Sequence, residues 1–330
     1  MLLSICIPTY NRPESLINCL NSIVKQGNKN LEICISDNCS KINIKKLIQP
    51  FKKRLNIQFN KNKKNLGFAL NLLKVSEMAK GDFIWFLGDD DLLMPDAIKK
   101  IQKIIKKNKE CDFFWINSYY LNSKFLDKFS KPFDTRYLPN DMEKHSKVTN
   151  DKKINFFDLI DHNISFDFLL GIFVCVFRKK KWEKNLHVID KVSVQDKRTW
   201  SNFDNTCFYI KVFCEAFKDS KSYLCSRPLS VNLIGIREWG DLYPFVEIVR
   251  IPEALDYYRS KGLPFIRYIS SKNYALRNFF NYFLKILING NKMGLNYINF
   301  QNHFFKNLIY PNAWLSIIYF LFRKIRFINK

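Results

Sequence analysis

Residues 81–91 read Gly-Asp-Phe-Ile-Trp-Phe-Leu-Gly-Asp-Asp-Asp, an apolar run that ends at three consecutive carboxylates. The apolar part is long enough for one buried strand. Because burying an unpaired carboxylate is costly, the side chains of Asp89–Asp91 are expected either in solvent or around a cation. Mg²⁺ and Mn²⁺ favour oxygen ligands and usually bind one or two carboxylates together with substrate phosphates. The alternative is a solvated acidic turn before a helix that begins near Pro95.

Upstream of this stretch, short apolar runs alternate with helical patterns. The predicted strands are Leu2–Pro8, Leu31–Ser36 and Asn56–Asn60. The predicted helices are Glu14–Gln26, Ile42–Arg54 and Ala69–Ala79. This alternation indicates βαβ units and a parallel sheet covered by helices. Ligands of such sheets bind beyond the carboxyl ends of the strands. Four polar segments are expected there: Thr9–Arg12, Asp37–Asn38, Asn65–Gly67 and Asp89–Asp91.

The composition combines ample apolar material with a strong excess of positive charge. The chain has 330 residues, of which 47% are hydrophobic, which favours one large domain with an appendage. The net charge of +24 favours anionic partners such as nucleic acid, acidic lipid head groups or phosphorylated small molecules. The nine cysteines show neither a C-x-x-C pair nor zinc spacing, so we interpret them as buried apolar residues in a reducing compartment.

The four polar segments belong to longer motifs, and their order carries a resemblance to a known family. The motifs are Ser4–Arg12, Glu32–Ser40, Asn65–Gly67 and Gly81–Asp91. With these motifs the sequence resembles the family 2 nucleotide-sugar glycosyltransferases, which have the GT-A fold. The resemblance is strong over residues 1–110, weaker over 111–240 and absent beyond. It implies an α/β fold, with a mixed, mainly parallel, Rossmann-like sheet flanked by helices and followed by a C-terminal helical extension.

The same resemblance implies a division of the chain and a set of nucleotide-sugar contacts. The catalytic domain is expected over residues 1–240, with a nucleotide-sugar half (1–110) and an acceptor half (111–240), followed by a helical region over 241–330. The residues expected to bind the nucleotide sugar are Pro8, Thr9, Tyr10, Arg12, Asp37, Asn65, Gly67 and Asp89. Asp37 suits this role because a carboxylate that accepts from a base N–H or ribose hydroxyl makes a strong charge-assisted contact. An Asx turn is the alternative for Asp37.

The acidic segment matches the DXD element that binds metal in this family. The resemblance assigns Mn²⁺ or Mg²⁺ to Asp90, with Asp91 as an auxiliary ligand and Asp89 directed toward the ribose. Many members read Asp-x-Asp-Asp here, whereas Gly88 stands at the first of these places, which leaves the division of roles open. The cation would neutralise charge on the diphosphate leaving group.

The family is inverting, so a general base must deprotonate the acceptor hydroxyl. The family's base is a carboxylate near the start of a helix. Asp204 precedes the predicted helix Asn205–Phe217, and a helix N-terminus favours the ionised carboxylate. Asp196 is the reserve candidate, and an ordinary helix N-cap is the alternative role for Asp204.

The remainder of the acceptor half is predicted from shorter patterns. Three further strands are expected at Cys111–Ser118, Ile172–Arg178 and Lys221–Ile234. Residues 122–155 are polar and irregular, which is typical of a lid, an acceptor loop or a disordered insertion. After the last strand, Arg237 could hold diphosphate oxygens and Trp239 could stack on a sugar face. The alternative for Trp239 is that it closes the edge of the domain.

From Pro244 onward the pattern is helical and rich in aromatic residues. The apolar stretch Ala313–Phe322 is followed by the basic end Arg323–Lys330, a combination suited to an anionic membrane surface. The competing interpretation is a helix packed on the catalytic domain or at a dimer interface. No apolar stretch reaches the ~18 residues needed to span a bilayer, and the first residues do not resemble a signal peptide. We therefore expect a cytoplasmic protein, peripheral on the inner face of the cytoplasmic membrane.

The sequence thus predicts a metal-dependent inverting glycosyltransferase. The expected partners are a nucleotide-diphosphate sugar donor and a glycan or lipid-linked acceptor, as in bacterial surface polysaccharide, lipopolysaccharide or capsule synthesis. One alternative is a catalytically degenerate scaffold of a glycan-assembly complex. The other is a basic nucleic-acid-binding protein, against which the sequence shows no recognisable nucleic-acid-binding motif.

Overall fold

The computed structural model describes residues 1–27, 30–122, 125, 135–235 and 239–318. Residues 1–110 contain β1 (Leu3–Thr9), α1 (Pro13–Val24), β2 (Leu31–Asp37), α2 (Ile44–Leu47), α3 (Gln49–Lys52), β3 (Asn56–Lys61), α4 (Phe68–Met78), β4 (Phe83–Phe86), β5 (Leu92–Leu93) and α5 (Ala97–Lys107). Residues 111–240 contain β6 (Cys111–Asn122), β7 (Glu143–Lys144), β8 (Lys152–Asn155), β9 (Cys175–Arg178), α6 (Lys179–Lys184), α7 (Asp204–Phe217) and β10 (Lys221–Ile234).

The strands form one mixed sheet whose order is β3-β2-β1-β4-β9-β6-β10-β5. The first four strands of this order are parallel neighbours, and β9 runs antiparallel between β4 and β6. The carboxyl ends of β1, β2, β3 and β4 therefore meet at one edge of the sheet, which is where ligands bind in open α/β sheets. With helices on both faces, the predicted fold class is confirmed.

Two apolar cores lie on the two faces of the sheet. One contains Leu16 and Leu20 of α1 together with Ile101 of α5. The other contains residues of α4, α7 and the C-terminal helices. Phe279 and Ala313 of the C-terminal helices therefore share one core with α4 and α7. Within the C-terminal helices, the rings of Phe283 and Phe304 pack with their centroids 4.5 Å apart.

The C-terminal region is helical, as predicted. Its elements are α8 (Tyr243–Phe245), a π-helical turn (Val246–Arg250), α9 (Ile251–Ser260), α10 (Phe265–Ala275), α11 (Phe279–Asn289) and a helix over residues 311–318. Within the residues described, no helix is both long and apolar enough to cross a membrane. The basic end over residues 323–330, which the sequence analysis placed at a membrane, lies outside the described residues.

Three local predictions differ from the structure. The predicted helix Ile42–Arg54 is two short helices, α2 and α3, because Pro50 lacks the N–H that a continuous helix would need. The polar segment 122–155 contributes β7, which pairs with β6, and β8, which pairs with β10. The predicted strand Ile172–Arg178 begins with a 3₁₀ turn over Ile172–Val174.

Candidate active site

The acidic loop after β4 lies against the loop after β1. Thr9 Oγ1 donates a hydrogen bond to Asp89 Oδ2 at 2.7 Å. Arg12 Nη1 lies 3.2 Å from Asp90 Oδ2 and 3.6 Å from Asp89 Oδ1. The parallel pairing of β1 with β4 brings the two loops together, since both strands end at the same edge. The sequence predicted this meeting, and the structure shows it.

Asp89 and Asp90 are two carboxylates held close together in a poorly solvated place. Burial raises the pKa of Asp89 to about 7, and the neighbouring charge of Asp90 adds to this rise against the opposing effects of Arg12 and Thr9. A cation between the two carboxylates would favour their ionised forms, so this donor set suits Mg²⁺ or Mn²⁺. Among the residues that the structure describes, no three His, Cys, Asp or Glu side chains are grouped as a complete metal site. In proteins, Mg²⁺ usually binds one or two carboxylates and completes its coordination with water and substrate phosphates.

Asp91 is engaged in holding the acidic loop. Its Oδ2 accepts from the backbone N–H of Gly88 at 2.8 Å, and its Oδ1 accepts from Asn232 Nδ2 at 2.6 Å, which links the loop to β10. A Cβ at Gly88 would lie 2.6 Å from Asp90 Oδ1 and 2.9 Å from Asp91 Oδ2. A side chain at position 88, where many family members have aspartate, would therefore have to displace these two carboxylates. An auxiliary metal role for Asp91 stays a prediction.

Asp37 ends β2 and is fully buried. Its Oδ1 accepts from the backbone N–H of Ser40, three residues further on, at 2.9 Å, a local turn contact close to the Asx turn given as the alternative role of Asp37. Its Oδ2 is buried with no hydrogen-bond partner among the described residues, and Lys61 Nζ stands 4.0 Å away. A buried carboxylate oxygen without a donor is costly. Because Asp37 is not among the residues that line the neighbouring cavity, a contact between this oxygen and the nucleotide stays a prediction.

A network of amide side chains begins at Asn38, directly after Asp37. Asn38 Nδ2 donates to Asn65 Oδ1 at 2.8 Å, and Asn38 Oδ1 accepts from the backbone N–H of Leu66 at 2.8 Å. Asn65 Oδ1 also accepts from the backbone N–H of Gly67, which has a positive φ of 85°. These contacts tie the end of β2 to the start of α4. The motif that contains Asn38 does not predict this network, because the sequence does not show that the amide points inward.

A cavity of about 540 Å³ is lined both by residues of 1–110 and by residues further along the chain. The predicted residues that line it are Pro8, Thr9, Tyr10, Arg12, Asn65, Gly67, Asp89, Asp90, Asp91 and Trp239. Arg237 lies outside the described residues. Lys197 also lines the cavity, with its Cα 3.5 Å from the position that a Cβ on Gly67 would take. No local sequence signal distinguishes Lys197 from the many surface lysines of this chain.

Two tryptophans form an apolar wall of this cavity. Trp200 and Trp239 have ring centroids 5.2 Å apart at an interplanar angle of 65°. Trp200 is held at a φ of 65°, and Arg250 donates to its carbonyl oxygen at 3.2 Å from Nε and 2.6 Å from Nη2. The indole Nε1 of Trp200 is buried without a partner in the described part of the chain. Flat apolar rings with an indole N–H suit the face and hydroxyls of a sugar.

The structure does not bring Asp204 or Asp196 to the cavity formed by the described residues. Asp204 begins α7 as predicted, but its Oδ2 accepts from Lys211 Nζ at 2.6 Å. Burial raises the pKa of Asp204 against the opposing effect of Lys211. Asp196 Oδ2 accepts from Arg198 Nη2 and Ser201 Oγ, both at 2.7 Å. A base role for either carboxylate stays a prediction without geometric support.

The chain belongs to glycosyl transferase family 2, whose model matches residues 4–170, half of the chain. The predicted family is therefore confirmed. Abequosyltransferase RfbV of Salmonella typhimurium is 40% identical over 119 residues, which cover 34% of this chain and 36% of that protein. The GalNAc(5)-diNAcBac-PP-undecaprenol β-1,3-glucosyltransferase of Campylobacter jejuni is 35% identical over 104 residues, covering 31% and 33%. The aligned segments thus span about a third of these relatives.

Solved structures share the fold over most of the chain. S. aureus TarS 1-349 in complex with UDP-GlcNAc has a TM-score of 0.55 at 15% identity, covering 86% of this chain and 73% of that one. The Pyrobaculum calidifontis mannosyltransferase PcManGT in complex with GDP-Man and Mn²⁺ has a TM-score of 0.51 at 13% identity, covering 87% and 75%. At such identities the likeness establishes the fold.

Proposed function

We propose that this chain is a metal-dependent inverting glycosyltransferase that moves a sugar from a nucleotide-diphosphate sugar to a hydroxyl of a glycan or lipid-linked acceptor. The observation that carries the proposal is the meeting of Asp89, Asp90 and Arg12 at the carboxyl edge of the sheet, within the cavity. The names of the relatives from Salmonella and Campylobacter support a place in bacterial surface polysaccharide or lipopolysaccharide synthesis.

Each part of such a donor has a proposed contact. We propose that Asp37, whose Oδ2 has no described hydrogen-bond partner, accepts from the base or ribose, and that Asp90 holds the cation with Asp89. A bound Mg²⁺ or Mn²⁺ would neutralise negative charge on the diphosphate leaving group. Arg12 and Lys197 add positive charge to the same lining, and guanidinium suits phosphate oxygens. The wall formed by Trp200 and Trp239 offers a platform for a sugar ring.

Titration calorimetry with UDP-, GDP-, TDP- and CDP-sugars, each with and without Mn²⁺, tests the proposal. We expect at least one nucleotide sugar to bind, and Mn²⁺ to tighten its binding, because the cation would bridge Asp90 and the diphosphate. An Asp37→Asn variant should weaken binding by about tenfold through loss of a charge-assisted contact. Asp96→Asn, which removes an exposed carboxylate outside the cavity lining, is the matched control.

The same titration separates the alternatives. A scaffold would bind no nucleotide sugar, or would bind one that stays intact during incubation with acceptor. A nucleic-acid-binding protein would bind oligonucleotides and no nucleotide sugar. Its affinity would fall strongly with salt concentration, as phosphate contacts require. Tight oligonucleotide binding without nucleotide-sugar binding contradicts the proposal.

We further propose peripheral contact with the inner face of the cytoplasmic membrane, through apolar side chains of the C-terminal helices. Leu284, Leu287 and Ile288 of α11 are exposed at three- and four-residue spacing, with Ile288 at 82%. Trp314 and Ile318 are also exposed in the helix over 311–318. Apolar faces of this kind insert at the interface, and the positive net charge of the chain favours anionic lipid.

Sedimentation with vesicles checks this contact. We expect the chain to sediment with vesicles containing phosphatidylglycerol, and to sediment less with pure phosphatidylcholine. Ile288→Glu should reduce the bound fraction several-fold, because a carboxylate would have to enter the interface. Val192→Glu, at an equally exposed position (80%) in the catalytic half, serves as the control. If Ile288→Glu sediments like the wild-type chain but disrupts a dimer that the wild-type chain forms, then α11 docks on a second copy and not on the membrane.

A further inference from the structure

The segment 166–173, which leads into β9, lies beside the acidic loop. β9 pairs antiparallel with β4, with Trp85 opposite Val176, and Trp85 Nε1 donates to the carbonyl oxygen of Phe173 at 2.8 Å. Because antiparallel neighbours run in opposite directions, the residues that precede β9 run alongside those that follow β4. Residues of 166–173 and Asp89–Asp91 accordingly line the same cavity. A sugar bound through its diphosphate at the acidic loop would therefore meet this segment.

The segment presents an apolar surface to the cavity. Phe166, Leu170 and Ile172 line the cavity, and each of the three side chains is partly exposed. Val246 and Ile251 of the C-terminal region line it as well. We refer to these five side chains as the apolar lining. A ligand that covers the exposed part of such side chains gains free energy only if the part of the ligand that meets them is apolar.

The backbone of the segment is held in an uncommon conformation. Phe168 and Leu169 have positive φ angles of 50° and 75°. Asp167 supports this conformation, since its Oδ1 accepts from the backbone N–H of Leu169 at 3.3 Å and its Oδ2 from that of Gly171 at 2.9 Å. A Cβ on Gly171 would lie 2.5 Å from Asp167 Oδ2, so a side chain there would displace the carboxylate. Backbone conformations of this kind cluster at sites that clamp a ligand.

Asp167 is fixed from the interior of the fold. Its Oδ1 accepts from Ser165 Oγ, and His145 Nε2 lies 2.8 Å from Ser165 Oγ and 3.6 Å from Asp167 Oδ2. The other ring nitrogen of His145 contacts Tyr120 Oη. Both oxygens of Asp167 thus have partners within the protein. The carboxylate therefore orients the segment and adds little polar surface for a ligand.

Other polar side chains near the apolar lining also have partners within the protein. Tyr209 Oη donates to the carbonyl oxygen of Leu170 at 2.6 Å. Thr206 Oγ1 accepts from the backbone N–H of Trp200 at 3.0 Å and donates to a neighbouring amide side chain. Among the described residues, the indole N–H of Trp200 and the phenol of Tyr243 are left for hydroxyls of a sugar. This part of the cavity therefore serves few hydroxyls.

The apolar lining selects among sugars by what it cannot offer. A hexose carries hydroxyls around most of its ring, whereas a deoxyhexose has a methyl or methylene group in place of at least one of them. A hydroxyl placed against the apolar lining would give up its hydrogen bonds to water without replacement, which costs free energy. A methyl or methylene group in the same place would instead bury apolar surface favourably.

We propose that the sugar transferred by this chain is a deoxyhexose, whose deoxygenated carbon contacts Phe166, Leu170 and Ile172; this inference rests on the proposed function. The diphosphate is held at the acidic loop whatever the sugar, so the preference comes from the apolar lining. An apolar pocket disfavours an added hydroxyl by about 10²-fold at most. The three residues of the segment are thus specificity determinants for the donor.

Titration calorimetry with matched pairs of nucleotide sugars, in the presence of Mn²⁺, tests this preference. The pairs are made for UDP, GDP, TDP and CDP in the gluco, galacto and manno configurations. The members of a pair differ only in the hydroxyl at C6, or in those at C3 and C6, as in UDP-glucose and UDP-6-deoxyglucose. In each pair that binds, we expect the deoxy member to bind about 10- to 100-fold more tightly.

Leu170→Asn tests the assignment to the segment. The amide is similar in size to the leucine side chain but supplies a donor and an acceptor for the extra hydroxyl. We expect the ratio of the two Kd values of a pair to fall by about five- to tenfold. Leu186→Asn, at a partly buried leucine outside the cavity lining, is the control and should keep the wild-type ratio. Because both affinities are measured on one protein, a partly unfolded fraction leaves their ratio unchanged.

The outcomes separate this inference from the proposed function. Equal Kd values within about threefold, or tighter binding of the fully hydroxylated member, would overturn the deoxyhexose and leave a nucleotide-sugar donor in place. A Leu170→Asn ratio equal to that of Leu186→Asn would contradict the role of the segment. Absence of binding by every nucleotide sugar would instead contradict the proposed function itself.

Discussion

Asp90→Asn is expected to lower kcat/KM for sugar transfer by about 10³-fold, the upper end of what loss of one electrostatic contact at a reacting group costs. The reason lies in how the three consecutive carboxylates differ. Both carboxylate oxygens of Asp91 already accept hydrogen bonds, one from Gly88 and one from Asn232. Asp89 accepts from Thr9, and its side chain is 7% exposed, compared with 13% for Asp90. Asp90 is thus the carboxylate best placed to meet a cation that arrives with the diphosphate.

Two controls accompany this variant. Asp96→Asn tests the loss of a carboxylate elsewhere, since Asp96 is exposed and its φ of 61° is tolerated by asparagine. The wild-type chain in EDTA tests the metal itself: we expect transfer to stop and to resume on addition of Mn²⁺ or Mg²⁺. Undiminished transfer in EDTA, or a kcat/KM of Asp90→Asn near that of Asp96→Asn, would remove the cation from the mechanism.

Arg250→Leu is expected to destabilise the protein by about 3 kcal/mol, as when one partner of a buried ion pair is removed. The guanidinium donates to the carbonyl oxygen of Trp200 and, from Nη1, to Glu253 Oε2 at 2.6 Å. The replacement leaves that carbonyl without its donor, and Glu253 keeps only His303 as a described charged partner. We place the effect at the lower end of the range because Glu253 is partly exposed and retains His303.

This substitution should also weaken substrate contacts. A non-glycine residue held at a φ of 65° persists only while its surroundings enforce the conformation. When Arg250 is lost, Trp200 is expected to relax, which would disturb the apolar wall that it forms with Trp239 and raise KM. Thermal and urea unfolding measure the first effect, and steady-state kinetics the second. Arg259→Leu, which removes an exposed arginine that donates to the carbonyl oxygen of Leu263, is the control. Equal unfolding midpoints for the two variants would contradict the role of Arg250.

The C-terminal region shows how a local pattern can leave the role of a segment open. Its apolar and aromatic residues predict helices, and helices form. The same residues are compatible with a membrane, with the catalytic half or with a second copy, because each offers an apolar surface. Phe279 and Phe283 join the core beneath α7, whereas Ile288 on the same helix is exposed. A single helix thus takes part in the core and still presents an apolar face.

The sequence by itself determined the sheet and the half of the site built on it, because these depend on where strands end. Thr9, Asp37 and Asp89 directly follow apolar runs, and parallel pairing carries strand ends to one edge. Only the tertiary structure decided the other half. Tyr120, Asp167 and Lys197 line the cavity from separate segments and carry no common pattern, so packing alone brings them together. Asp204 met the local criterion of a helix start, but the direction of its carboxylate depends on Lys211 and the packing of α7, which no local pattern contains.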